Sequence, residues 1–203
     1  MQGELLPLFP LRVVLFPRTP LPLHIFEERY RAMIGASMRE ESEFGIVLAT
    51  HEGIVNMGCT AVVDQLLKHY KDGRLDILTM GRRRFEIESL DMEEVFLRAE
   101  VRYFDDDDDA ETVPNGLLDE VVDQYMALRE FGGYPAPKMT ERQLSFQLAQ
   151  WLPDMNFRQV LLGMRSETER LRSLAGFLPN FLSRQKTIAQ VKKVARRNGN
   201  AFR

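Results

Sequence analysis

Apolar residues crowd the first thirty positions, yet prolines interrupt them at Pro7, Pro10, Pro17, Pro20 and Pro22. Proline removes a ladder donor and cannot sit inside a helix. The run LLPLFPLRVVLFPRTPLPLHIF therefore predicts short extended pieces joined by bends, folded into a core or along a sheet edge. At Glu27 the character changes. EERYRAMIGASM is proline-free, and Phe26, Tyr30, Met33 and Ile34 fall at helical spacing. A proline-broken strand pair feeds a first helix.

Further on, FGIVLA (Phe44 to Ala49) predicts a buried strand, and Gly58 opens the next, CTAVVDQLLKHY. Lys71-Asp72-Gly73-Arg74 then predicts a hairpin with a type I′ turn, which needs positive φ at both central residues. The return strand LDILTMG is expected to break at Gly81, and RRRFEIESL to begin another with Phe85 and Ile87 on one face. Val95, Leu97, Ala99, Val101 and Tyr103 alternate with Phe96, Arg98, Glu100, Arg102 and Phe104, giving one core face and one largely polar face. So many strands with one apolar face predict a barrel or a folded-over sheet.

Beyond the acidic run Asp105 to Asp109, read as a solvated loop, the period switches from 2 to 3.6. Leu117, Leu118, Val121, Val122, Tyr125 and Leu128 form a helical stripe that ends at Gly132-Gly133. Thr140 with Gln143 reads as a capping box for a second helix carrying Leu144, Leu148, Trp151 and Leu152, stopped by Pro153. A short third helix holds Phe157, Val160, Leu161 and Met164. Ser166 with Glu169 caps a last helix bearing Leu171, Leu174, Phe177, Leu178, Phe181 and Leu182, which Pro179 should kink or divide. The expected fold is α+β, with a β-rich lobe over 1–109 and a helical lobe over 110–203.

Composition adds bounds rather than function. A chain of 203 residues, 44% hydrophobic and 28% charged, can bury a substantial core as one large domain or two small ones. Its lone cysteine, Cys59, excludes an intramolecular disulfide and fits a reducing compartment. No run reaches the roughly 18 apolar residues of a membrane span, and the amino terminus lacks a basic leader. The cytoplasm is the expected location. Net charge is only −3, but Arg170 to Arg203 holds nine basic residues and no acidic one. The preceding 169 residues therefore carry −12, the difference between −3 and +9.

The runs LPLFPLRVVLFP and LPLHIFEERYRAMI resemble the start of the Lon-type amino-terminal domain, the substrate-binding region of ATP-dependent Lon proteases. More specifically, they resemble the free-standing bacterial proteins that carry that domain alone. Gly58-Cys59-Thr60, the Gly81-Arg82-Arg83-Arg84-Phe85 turn and the run LAQWLPDMNFRQVLLGMRSETERLRSL extend the likeness over nearly the whole chain. Arg158 stands where that family often has lysine. The resemblance implies a PUA-like pseudo-barrel followed by a helical bundle, and a role in holding polypeptide segments or a protein partner in proteolysis or quality control.

No phosphate-cradling GxxxxGK[ST] loop occurs, and no segment is left for a serine–lysine protease domain. The expectation is a non-enzymatic binding module without cofactor or metal. Cys59 with His24, His51 or His69 could form a nucleophile pair, but a small buried strand cysteine is the simpler reading. Three dispersed histidines offer no ligand spacing, and the aspartate run lacks the glycine and distal glutamate of a calcium loop. Phe26, Glu27, Arg29 and Tyr30 match the F-E-x-R-Y step of the family. One reading packs Tyr30 on the barrel and ties the proline strands through Glu27 or Arg29; the other has them line a groove for an extended polypeptide. The candidate partner-binding set is His24, Phe26, Glu27, Arg29, Tyr30, Arg82 and Arg84. The alternative is an RNA-associated module using Arg82-Arg83-Arg84 or the basic tail, a weaker reading for an acidic chain.

Overall fold

The computed structural model describes residues 5–93, 95–107, 113–139 and 143–199. Two compact units divide the chain, one of Met1–Asp105 with Leu152–Gly163, the other of Asp106–Trp151 with Met164–Arg203. The fold is α+β, a six-stranded mixed sheet followed by helices.

The first unit carries β1 (Leu6–Leu11), β2 (Pro20–Ile25), α1 (Glu28–Glu40), β3 (Phe44–Thr50), β4 (Gly53–His69), β5 (Leu75–Asp91) and β6 (Arg98–Phe104). The proline-rich strands do not pair with each other. β1 lies parallel to β3, with Leu8 opposite Gly45, and antiparallel to β6, with Leu6 opposite Ala99. β3 joins β4, β4 joins β5, and β5 joins β6, so these five strands close on themselves as a barrel. Inside it, Leu6, Leu8, Val47, Phe85 and Ala99 form a buried cluster, and Ile54, Ile87, Leu97 and Val101 pack against it. β2 pairs with the first part of β5, from Pro20 opposite Met80 to Ile25 opposite Leu75. Proline is tolerated there because β2 ends the strand order.

Several local expectations are corrected. Gly81 does not end a strand, since β5 runs unbroken through it. A Cβ at Gly81 would lie 2.0 Å from the Phe16 carbonyl oxygen. The bend at Phe16 to Thr19 closes onto Gly81, which exchanges backbone hydrogen bonds with Thr19 and Arg18. The glycine signals close approach. The Asp72-Gly73 turn is not type I′: only Gly73 has positive φ, at 85°, and Tyr70 and Arg74 enclose a three-residue loop. β6 begins only at Arg98, and Val95 and Tyr103 are exposed rather than core.

The short helix α4 (Met155–Gly163) belongs to the barrel unit, although its periodicity resembles that of the other helices. Its amino terminus is capped by Asp154, whose carboxylate accepts the Phe157 N–H at 2.9 Å. Arg158 donates to the Val14 carbonyl, Gln159 donates to the Met57 carbonyl at 3.2 Å, and the Leu162 carbonyl accepts from Arg84 at 3.1 Å. Leu161 and Leu162 are buried, while Val160 is exposed.

The second unit is helical, with α2 (Asn115–Leu128), a 3-10 turn at Arg129–Phe131, α3 (Leu144–Ala149) and α5 (Glu167–Gly199). α2 packs along α5, burying Val121, Tyr125 and Leu128 on one helix and Leu171, Leu174, Leu178 and Phe181 on the other. α5 continues through Pro179 undivided. Ser166 caps it, its hydroxyl accepting the Glu169 N–H at 3.4 Å. The other expected capping box falls partly outside the described residues. Thr140 lies outside the described residues, and Gln143 stands before α3 in the left-handed region, with its side chain on Asp106 at 3.1 Å. Trp151 is exposed. The acidic run is anchored where it is described: Asp106 meets Arg170, and the Asp107 N–H donates to the Arg165 carbonyl at 2.9 Å. Asp108 and Asp109 lie outside the described residues.

Candidate functional site

β2 presents Pro20, Pro22 and His24 on one face, opposite Met80, Leu78 and Asp76 of β5. The other face turns Ile25, Ile77 and Thr79 into the core. His24 Nδ1 lies 2.5 Å from Asp76 Oδ1, and the Tyr70 hydroxyl donates to Asp76 Oδ2 at 2.7 Å. These two hydrogen bonds, His24 first, hold the Asp76 carboxyl below its ordinary range. Lys68 Nζ sits 4.3 Å and the Arg74 guanidinium 5.0 Å from the Tyr70 ring centre. Phe26 is 61% exposed and lies 6.0 Å from the His24 ring.

Glu27 and Arg29 pair at 2.9 Å beside them. The Arg29 guanidinium lies 4.5 Å over the Tyr30 ring, which stacks 4.2 Å from Phe9 of β1. Tyr30 is buried, and burial pushes its phenol upward. Thus His24, Phe26, Glu27, Arg29 and Tyr30 come together where β2 enters α1. Arg82 and Arg84 do not join them. Arg82 is exposed, but it stands six residues beyond Asp76 on β5, about 20 Å at strand rise. Arg84 is 1% exposed, with its guanidinium on the Leu162 carbonyl, 3.5 Å from Asp105 and 4.7 Å over the Phe104 ring. Arg83, between them, pairs with Glu43 at 3.0 Å and covers Tyr103 at 3.8 Å.

Cys59 is fully buried, and burial pushes its thiol up to about 12. A thiol so placed stays protonated and inert near neutral pH. Among the described residues, no group of three or more His, Cys, Asp or Glu converges as a metal site.

A cleft of about 410 Å³ opens elsewhere in the barrel unit, lined by Ser37 and Met38 at the end of α1, by Glu41 and Ser42 just after it, and by Val62 to Leu66 of β4. The Ser37 hydroxyl donates to the Ser42 carbonyl at 2.9 Å, and the Glu41 N–H donates to the Ser37 carbonyl. Glu41 itself takes a left-handed conformation, φ 51°. The chain is thereby turned sharply off α1 before β3. Sequence reading missed this cleft. Its only signal was the apolar pair Leu66-Leu67, both exposed, in a stretch read as an ordinary strand.

The basic tail continues α5, with Arg184, Lys186, Lys192 and Lys193 exposed. The side chains from 194 onward lie outside the described ones. No described helix is long and apolar enough to cross a membrane.

Comparison with known proteins agrees with this architecture. Residues 5–191 match the model of the ATP-dependent protease La (LON) substrate-binding domain. Lon protease 1 of Hydrogenovibrio crunogenus is 30% identical over 129 residues, which cover 58% of this chain and 16% of that protease. The chain thus spans a small part of that relative's length. The crystal structure of a Lon N-terminal domain protein from Xanthomonas campestris superposes with a TM-score of 0.67 at 26% identity, over 86% of this chain and 98% of that one. The N-terminal domain of a Mycobacterium avium complex Lon protease shares the fold, with a TM-score of 0.62 at 16% identity, over 87% of this chain and 98% of its own. The chain belongs to the family of the Lon protease substrate-binding domain.

Proposed function

We propose that this chain is a non-catalytic module that binds extended or unfolded polypeptide segments in the service of proteolysis or protein quality control. One observation carries the reading: residues 5–191 match a domain described as substrate-binding. The chemistry of the chain is consistent with it, because the lone thiol is buried and protonated and no phosphate-binding loop is present in the sequence.

The junction of β2 with α1 gives this reading a surface. His24, Phe26 and Arg29 would meet a polypeptide, Glu27 would hold Arg29, and Tyr30 would support them from Phe9. Arg82 would reach the same partner only further along β5, and Arg84 would brace the barrel from within. An exposed aromatic beside cations suits apolar and acidic side chains.

Immobilised chain offered an unfolded, carboxymethylated polypeptide and its native counterpart tests the reading. Retention of the unfolded form alone is expected, with no ATP or peptide hydrolysis. Equal failure to retain either, or hydrolysis by the purified chain, contradicts it. A second reading, RNA association, rests on the exposed Arg184, Lys186, Lys192 and Lys193 of α5. A salt-dependent gel shift abolished by truncation after Ser183 would favour it.

A further inference from the structure

β3 and β4 stay paired only as far as Phe44 opposite Ala61. From Val62 to His69, β4 continues along β5 alone, and among the described residues no strand pairs with its other side. An unpaired strand edge presents a row of N–H and C=O groups able to accept another strand. The cleft lies along this edge. Val62, Val63, Asp64, Gln65 and Leu66 are consecutive, and side chains alternate across a strand, so one cavity can be lined by all five only beside the strand itself. Its far wall is the carboxyl end of α1, with Met38 and Glu41.

We propose that this edge accepts an extended polypeptide segment as an added strand, and that the cleft selects apolar side chains alternating with basic ones. The proposal rests on the polypeptide-binding reading and names how the segment is held. Main-chain hydrogen bonds to β4 supply a sequence-independent grip, while the cleft reads alternate side chains. Met38, Val63 and Leu66 offer it apolar surface, and Met38 and Leu66 are 36% and 46% exposed. Glu41 and Asp64 put carboxylates at its lip, both exposed. The carbonyl end of α1 adds negative potential on the same side, which favours a cation. Arg39 is the basic residue in the last turn of α1.

The edge carries its own limits. Register shifts between Val63 and Gln65 and between Leu66 and Lys68 bulge β4, and Asp64 and Lys68 charge it. Bulges and charges discourage flush pairing with long flat strands and with copies of the chain. The added segment is therefore short, about five residues.

The test titrates the full chain with a labelled short peptide alternating leucine and lysine, and reads amide hydrogen exchange across β4. Slowed exchange within 62–69 is expected. N-methylating alternate residues of the peptide should weaken binding about tenfold or more. Asp64→Lys should weaken it by about tenfold, and a leucine–glutamate peptide should regain the loss. Should Asp64→Lys lose its cooperative melt, Glu41→Lys and the exchange map decide. Binding with protection elsewhere, indifferent to N-methylation and to the charge swaps, overturns strand addition and leaves the polypeptide-binding reading standing. Binding of neither this peptide nor an unfolded protein overturns both.

Discussion

Arg170 and Asp106 meet as a two-pronged ion pair, with Nη1 on Oδ1 and Nη2 on Oδ2, each at 2.6 Å. Sixty-four residues separate them in sequence. Arg170 is fully buried, lies 4.3 Å over the Phe146 ring, and also donates to Ser145 Oγ, Glu167 Oε2 and the Met164 carbonyl. One guanidinium thus ties the start of the helical unit to α3 and α5. Its neighbouring carboxylates raise its pKa against the opposing effect of burial.

Asp106 is one of two carboxylates that hold the buried Arg170 charge, the other being Glu167. Asp106→Ala is expected to cost about 1.5–3 kcal/mol, the loss of charged hydrogen bonds, read as a lower urea midpoint. Arg170→Met combined with Asp106→Leu should cost clearly less than the two single changes added together, because both single changes break the same Arg170–Asp106 pair. Simple additivity would show that the pair is not coupled.

Asp76 makes stability depend on acid. Its carboxyl titrates below the ordinary 3.8 in the folded chain, chiefly through the His24 hydrogen bond. A depressed folded pKa adds stability above the unfolded value, and that contribution fades as pH falls through the folded one. Asp76→Asn should therefore be less stable than the natural chain by a constant amount at neutral pH. The gap should narrow below pH 3.8. Parallel curves down to the acid limit would deny the linkage. Urea melts across the acid range read it.

Cys59 should resist alkylation. With its thiol pushed up to about 12, only about one part in ten thousand is thiolate at pH 8 before access is considered. Iodoacetamide should label the native chain more than a hundredfold more slowly than the urea-unfolded chain. Comparable rates would place the thiol outside the barrel wall.

Two glycines should respond oppositely to alanine. At Gly81 the new methyl meets the Phe16 carbonyl, a backbone atom that cannot swing aside, so Gly81→Ala should cost about 2 kcal/mol or more. At Gly176, within α5, nothing lies within 4 Å, and Gly176→Ala should add up to about 1 kcal/mol. Thermal melts of the two variants should move in opposite directions.

Much of this fold is legible in residue order, because periodicity and proline act locally. The prolines at 7, 10, 20 and 22 do mark extended pieces, and Tyr30, Met33 and Ile34 do face the core of α1. What stayed hidden depends on partners distant in sequence. Arg170 reads as the first of nine basic residues in the last stretch of the chain and Asp106 as part of a solvated acidic loop, yet the buried guanidinium of one is held by the carboxylate of the other. α4 has the same period as its helical neighbours, and its bonds to Val14, Met57 and Arg84 join it to the barrel. Trp151 looks like a core residue and faces solvent. Of the candidate surface, the cluster around His24 could be read from one contiguous stretch. The β4 edge could not, since its freedom follows from where β3 stops pairing.

The proposed function has this chain hold polypeptides without acting on them. Calorimetric titration with one protein in folded and permanently unfolded forms tests it most directly. Saturable heat is expected with the unfolded form only, with intact polypeptide recovered afterwards. Heat of equal size with the folded form, none with either, or cleaved product in the cell would contradict it.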